Sequence, residues 1–171
     1  MSQWIAPMRT FALFAVFCLS ASLAGAAKLV EVKEPATIAH AFSPRAPLRM
    51  LNVWATWCVP CVEEIGDIGA ISNMFGNEVS VIGVTLDDMI PADRAATKRK
   101  VETFLDQRKI RYSNIYYSGN SDALADSLRF NGEIPITIIY DRNGRELWRQ
   151  QGKIDRQKTV AEIRKLLRRN R

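Results

Sequence analysis

The sequence predicts a single α/β domain with a mixed central sheet flanked by helices, and three observations carry that reading. Residues 48–55 and 79–86 are apolar at nearly every position, as strands buried on both faces of a parallel sheet are. Helix-period stretches follow each run, at Val62, Ile65, Ile68 and Ile71 and then at Val101, Phe104 and Leu105. Lastly, a strand, the turn-forming Asp141-Arg142-Asn143-Gly144 and a second strand lead into an amphipathic stretch with Val160, Ile163, Leu166 and Leu167 on one side.

Residues 1–26 read as a targeting segment that precedes the fold. Arg9 is a lone positive charge, residues 11–23 are almost wholly apolar, and Ala24-Gly25-Ala26 supplies small residues for cleavage before Ala27. The apolar run is shorter than the roughly 20 residues a membrane span needs. A signal peptide is therefore the expectation, with a retained N-terminal anchor as its alternative, and either places the chain in the periplasm or another extracytoplasmic space. Cys18 follows the bulky Phe17 and reads as a passenger in the apolar run. Residues 27–171 then form the domain, with 23 Lys+Arg against 18 Asp+Glu and a net charge of +5. That length is enough for one ordinary core.

Each element of the domain has its own signal. Residues 28–32 alternate as a short strand, and Pro35, Pro44 and Pro47 break up the stretch that follows, which is left unassigned. A helix is expected from Cys58 to the Gly76-Asn77 pair, whose glycine suits a C-terminal cap. Asp93 is placed to cap a helix reaching about Arg108. Residues 112–117 read as a strand and residues 121–128 as a helix. Pro135 must stand at the start of the strand spanning residues 134–140, since proline cannot donate to a ladder. Residues 146–151 form its hairpin partner, and residues 155–168 the last helix.

Trp54-Ala55-Thr56-Trp57-Cys58-Val59-Pro60-Cys61 lies at the junction of the first buried strand and the first helix. A cysteine there meets unpaired backbone N–H groups and the positive end of the helix dipole, which favour its thiolate. The second cysteine is three residues on, one turn deeper on the same face. Cys58 is thus the expected nucleophile and Cys61 the resolving thiol of a thiol–disulfide exchange. These are the only cysteines of residues 27–171.

This motif, the Ile134-Pro135-Ile136-Thr137 strand entry and the closing hairpin and helix together resemble the thioredoxin superfamily. The targeting segment, Asn52 and the insertion between Thr85 and Ser121 are most similar to the TlpA/ResA-type extracytoplasmic thiol–disulfide oxidoreductases. The resemblance implies a thioredoxin-like domain, a protein-disulfide reductase with no cofactor, and Trp57 packed beside the attacking sulfur. It implies a cis bond before Pro135, with the Ile134 backbone presented to substrate. It also implies a membrane electron-transfer protein as reductant, and a role such as cytochrome c maturation or metal-site assembly. Asn52 stands where cytosolic thioredoxins carry a buried aspartate, so the usual carboxylate near Cys61 is missing. The resemblance puts Asp88 near the cysteines in its stead, with Asp87 an immediate competitor.

Other readings of the cysteines are weaker. Structural zinc takes four ligands, and beyond the two thiols residues 27–171 offer only His40 as a soft donor. A copper-handling carrier on the same fold suits thiolates, yet no His or Met follows Pro135. A purely structural disulfide closing four residues constrains little. His40, Met50, Met74 and Met89 read as packing or surface residues. A disulfide oxidase is the alternative direction, but Val59-Pro60 between the cysteines offers no charged donor to the thiolate. The basic clusters at Lys98-Arg99-Lys100, residues 108–111 and the tail read as solvated faces, with an acidic partner or an anionic membrane surface as the other reading. No zinc-finger, phosphate-loop or RNA-binding aromatic motif points to nucleic acid.

Overall fold

Strand β2 (Leu48–Trp54) is the central strand, and its pairing fixes where everything chemical must lie. The computed structural model describes residues 29–170, so the targeting segment lies outside the described residues. On one side β2 pairs in parallel with β3 (Val79–Thr85), from Leu48 opposite Val79 to Trp54 opposite Thr85. On the other it pairs antiparallel with β5 (Ile136–Asp141), Val53 facing Ile136. The antiparallel register sets the beginning of β5 beside the end of β2.

β4 (Ser113–Tyr117) lies outside β3, and β1 (Leu29–Val32) outside β4, both in parallel pairings. β6 (Glu146–Gln151) closes the other edge through the hairpin, giving the six-stranded order β1-β4-β3-β2-β5-β6. The sheet is mixed, as the alternation of buried runs and a hairpin predicted.

Four helices cover it: α1 (Val59–Phe75), α2 (Arg94–Gln107), α3 (Ser121–Leu128) and α4 (Arg156–Arg169). Side chains of β2 alternate between faces, so Leu48, Met50 and Trp54 join one core and Leu51 and Val53 the other. Ile65, Ile68 and Ile71 of α1 and Ile163 and Leu166 of α4 fill the first core. The second is closed by α3 and by a 3-10 turn over Pro35–Ala41, which supplies Ile38 and is followed by Phe42. This turn occupies the stretch left unassigned from the sequence.

The ends of the helices follow their capping residues. Asp93 and Asp155 accept from the N–H groups of Ala96 and Lys158, and Asn120 caps α3 by accepting from Ala123. Gly76, at φ +49°, ends α1, which runs unbroken from the motif. Among the described residues no helix is long and apolar enough to cross a membrane.

Candidate active site

The chain leaves β2 at Trp54, turns through Ala55-Thr56-Trp57 and enters α1 with Cys58 as its N-cap residue. Pro60 stands in the first helical turn, where its missing N–H costs nothing. The Cys58 N–H donates to the Ala55 carbonyl at 3.2 Å, and the Val62 N–H to the Cys58 carbonyl at 3.1 Å. Cys58 and Cys61 are joined as a disulfide with a Cα–Cα separation of 5.3 Å. The Cys61 N–H donates to Cys58 Sγ at 3.3 Å. That contact and the helix terminus both favour negative charge on Cys58 once the pair is reduced. Cys58 keeps 7% of its surface exposed and Cys61 none, so an outside sulfur can reach only the first.

Pro135 arrives from the neighbouring strand. Its peptide bond to Ile134 is cis, and the Ile134 carbonyl oxygen lies 3.6 Å from Cys58 Sγ. The Pro135 carbonyl accepts from the Gly152 N–H at 2.8 Å, anchoring the loop to the end of β6. The strand itself begins only at Ile136, directly after Pro135, which has no N–H to donate to a ladder. Trp57 is 44% exposed beside the motif, whereas Trp54 is fully buried, its ring 5.5 Å from Phe104 and its indole N–H donating to Asn114 Oδ1 at 3.1 Å.

The two loop acids have different partners. The Asp87 carboxylate is buried and accepts from the Thr56 N–H at 3.0 Å, from the Thr56 hydroxyl and from the Thr85 hydroxyl. Asp88 instead accepts from Arg94 Nε and Nη2 at 2.8 and 3.0 Å and from the Tyr116 hydroxyl at 3.1 Å. It is therefore Asp87 that the structure ties to the motif, while Asp88 is joined to the start of α2 and to β4.

One carboxylate escaped the sequence reading. Glu64, one turn beyond Cys61 on the inner face of α1, is fully buried. Its Oε1 accepts from Asn52 Nδ2 at 2.8 Å and its Oε2 from the Ile154 N–H at 2.7 Å. Burial pushes its carboxyl above the ordinary range, and the Ile154 and Asn52 hydrogen bonds and nearby Lys153 offset only part of that. Asn52, which leaves its strand position without a carboxylate, thus receives one from the helix. Among the described residues no group of three or more His, Cys, Asp or Glu side chains gathers as a metal site.

A mixed sheet with a Cys-x-x-Cys disulfide at a helix N-terminus, set against a cis-proline, defines a thioredoxin-like domain. Solved structures agree on that fold. A DsbF homologue from Corynebacterium diphtheriae superposes with a TM-score of 0.61 at 22% identity, over 74% of this chain and 74% of that one. A secreted thiol-disulfide isomerase from Corynebacterium glutamicum gives 0.60 at 20% identity, over 71% of each chain. A thioredoxin-related protein from Neisseria meningitidis serogroup B gives 0.56 at 24% identity, over 71% of this chain and 85% of that one. No protein-family model matches the sequence, and no curated protein does.

Proposed function

We propose that the chain is an extracytoplasmic protein-disulfide reductase working through Cys58 and Cys61. The observation that carries this reading is the unequal placement of the two sulfurs. One caps α1 beside the Ile134 carbonyl at the surface, and the other is sealed beneath it.

The cycle follows from that placement. In the reduced pair the Cys58 thiolate attacks one sulfur of a substrate disulfide. A Cys58–substrate disulfide forms, and the other substrate sulfur leaves as a thiolate and takes a proton. Cys61 then gives up its proton and attacks Cys58 Sγ. The Cys58–Cys61 disulfide forms, the second substrate sulfur is released, and two electrons have passed from the enzyme to the substrate. Glu64 is the nearby group suited to take the Cys61 proton, because burial raises the proton affinity of its carboxylate and one helical turn separates the two. A thiol donor must then reduce the pair again, and a membrane electron-transfer protein fills that place. Substrates are protein disulfides, such as those of apocytochrome c or of proteins that assemble metal sites.

The apolar residues 11–23 and the Ala24-Gly25-Ala26 site support export, and the fold is shared with a protein described as secreted. The test is to trap substrates with Cys61→Ser, which stops the cycle at the mixed disulfide. Extracytoplasmic proteins held on Cys58 and released by dithiothreitol support the reading. A variant that traps nothing, in cells where the wild type is shown to cycle, overturns it.

A further inference from the structure

Beside the reactive sulfur a groove of about 270 Å³ runs between Trp57 and α2, lined also by Ile90, Ala92, Ala96, Thr97 and Lys100. Asp87 lies at its base with its carboxylate already taken up by Thr56 and Thr85. The cycle described above makes no use of this groove. We propose that it is a specificity pocket for the polypeptide substrate, taking a bulky apolar side chain next to the substrate cysteine and an acidic residue beyond it. The proposal rests on the disulfide-exchange reading and adds the kind of sequence that is exchanged.

Position argues for a substrate polypeptide as the occupant. Trp57 directly precedes Cys58, so its Cα lies about 3.8 Å from that of the attacking residue. An extended substrate advances about 3.3 Å per residue. A side chain one or two residues from the substrate cysteine therefore falls over Trp57 whenever the sulfurs meet.

The lining argues for an apolar side chain. Six large hydrophobic residues are exposed among the described residues; Trp57 and Ile90 line the groove, and Val59 and Met89 adjoin it in the motif and in the loop that follows β3. Exposed apolar groups gathered in this way mark a contact surface. Ala92 and Ala96 are small, which leaves the groove open to a bulky group. Aromatic and aliphatic walls reward filling it.

Charge supplies the second half of the preference. Lys100 lies one helical turn beyond Ala96. Its neighbours are engaged, Arg94 with Asp88 and Lys98 with Glu31, whereas among the described residues no carboxylate pairs with Lys100. A carboxylate carried past the apolar residue meets a free ammonium at the groove's end. Attraction of this kind favours acidic flanks and disfavours basic ones.

Purified reduced protein separates these claims on disulfide peptides that differ only beside the cysteine. One carries Phe then Glu, another Ser then Glu, a third Phe then Lys, and hydroxyethyl disulfide serves as a substrate with no flanks. The expected second-order rate constant for reduction is about tenfold higher for Phe-Glu than for Ser-Glu, as burial in an apolar pocket supplies. Ala96→Phe fills the groove and should bring that ratio close to one. Lys100→Glu should reverse the order of Phe-Glu and Phe-Lys. Each variant is compared on paired peptides, so a loss of folded protein leaves the ratios unmoved. Activity on hydroxyethyl disulfide with no peptide preference in the wild type overturns the pocket and leaves the redox reading standing. Preferences that survive both substitutions overturn it as well. Inactivity on every disulfide overturns the redox reading and the pocket with it.

Discussion

Asn52 and Glu64 share a hydrogen bond of 2.8 Å between the central strand and the active-site helix, both side chains fully buried. Asn52 Nδ2 also donates to the Thr137 hydroxyl at 3.1 Å, and Glu64 reaches the Ile154 N–H, so one cluster ties β2, β5, α1 and the entry to α4. Its cost is visible in Asn52 Oδ1, which is buried without a partner. An amide turned over would present that oxygen to Glu64, a geometry only a protonated carboxyl can satisfy. The cluster is therefore built to tolerate Glu64 in either protonation state.

Stability should report this directly. The folded-state pKa of Glu64 is raised above its ordinary 4.5, so between the two values the folded protein holds a proton that the unfolded chain has lost. The contribution is fully present below pH 4.5 and disappears as pH rises through the folded value. Glu64→Gln keeps the shape, removes the charge and can donate to the turned-over Asn52. Its thermal midpoint in the oxidised state is expected to exceed that of the wild type at pH 8 by a few degrees, about the effect of 1 kcal/mol in a domain of this size. The advantage should shrink as pH falls toward 4.5. Melting both proteins across that range checks the sign.

Glu64 also shows where the sequence was legible and where it was not. Cys61, Glu64, Ile65 and Ile68 form the i, i+3, i+4, i+7 stripe of a buried helix face, and that period placed Glu64 among apolar neighbours all along. Identity alone does not separate it from Glu63, which is exposed and paired with Lys153 at 2.7 Å. Strands β2 and β3 and helices α1 and α4 were readable because burial on two faces or one leaves a period. The 3-10 turn at Pro35–Ala41 was not, since so short an element leaves only Ile38 and Phe42 as apolar marks among prolines. The division of labour between Asp87 and Asp88 depends on which way consecutive side chains point after β3, and no pattern of residue types reports that.

Those two acids can be told apart by substitution. Asp87→Ala removes the acceptor for three donors and is expected to cost about 2–4 kcal/mol, as losing several buried hydrogen bonds does. Asp88→Ala should change the midpoint less, because it frees the exposed Arg94 to water and only the Tyr116 hydroxyl loses an acceptor. Asp87→Asn is the gentler probe of charge, since the Thr56 hydroxyl can turn and accept from the new amide. A nearby carboxylate disfavours the thiolate, so Asp87→Asn should lower the Cys58 pKa, and by more than Asp88→Asn does. Thiolate absorbance of the reduced proteins against pH decides between them.

Gly83 makes room for the hydrogen bond between Trp54 and Asn114. A Cβ added there would stand 2.0 Å from Asn114 Oδ1 and 2.9 Å from Trp54 Nε1. Gly83→Ala must therefore push the Asn114 amide aside and leave the buried indole N–H without an acceptor. The expected loss is about 2–5 kcal/mol, overpacking and an orphaned donor together. Adding Asn114→Ala should cost less than the two single effects summed, because it vacates the crowded space. Urea unfolding of the four proteins measures the coupling.

Alkylation should follow the burial of the two sulfurs. With the pair reduced and iodoacetamide limiting, Cys58 is expected to react at least roughly tenfold faster than Cys61, through both its reach and its thiolate character. Peptide mass mapping after a brief pulse locates the adduct. Preferential labelling of Cys61 would reverse the assigned roles.

The redox potential is set by how well the Cys58 thiolate is supported, since stabilising the reduced form makes the disulfide a stronger oxidant. Here the support is the N-terminus of α1, including the Cys61 N–H. Val59 and Pro60 bring no donor in their side chains. The potential is therefore expected nearer the roughly −270 mV of a reductant such as thioredoxin than the roughly −120 mV of a strong oxidant. Val59 is 68% exposed, so Val59→His adds a cation beside the thiolate without disturbing the core. It should lower the Cys58 pKa and raise the potential, each tenfold gain in the exchange constant adding about 30 mV. Titration against defined ratios of reduced and oxidised dithiothreitol, read by Trp57 fluorescence, gives both values. A wild-type potential at the oxidant end would turn the electron flow around and make the chain a donor of disulfides, with Cys58 and Cys61 in the same places.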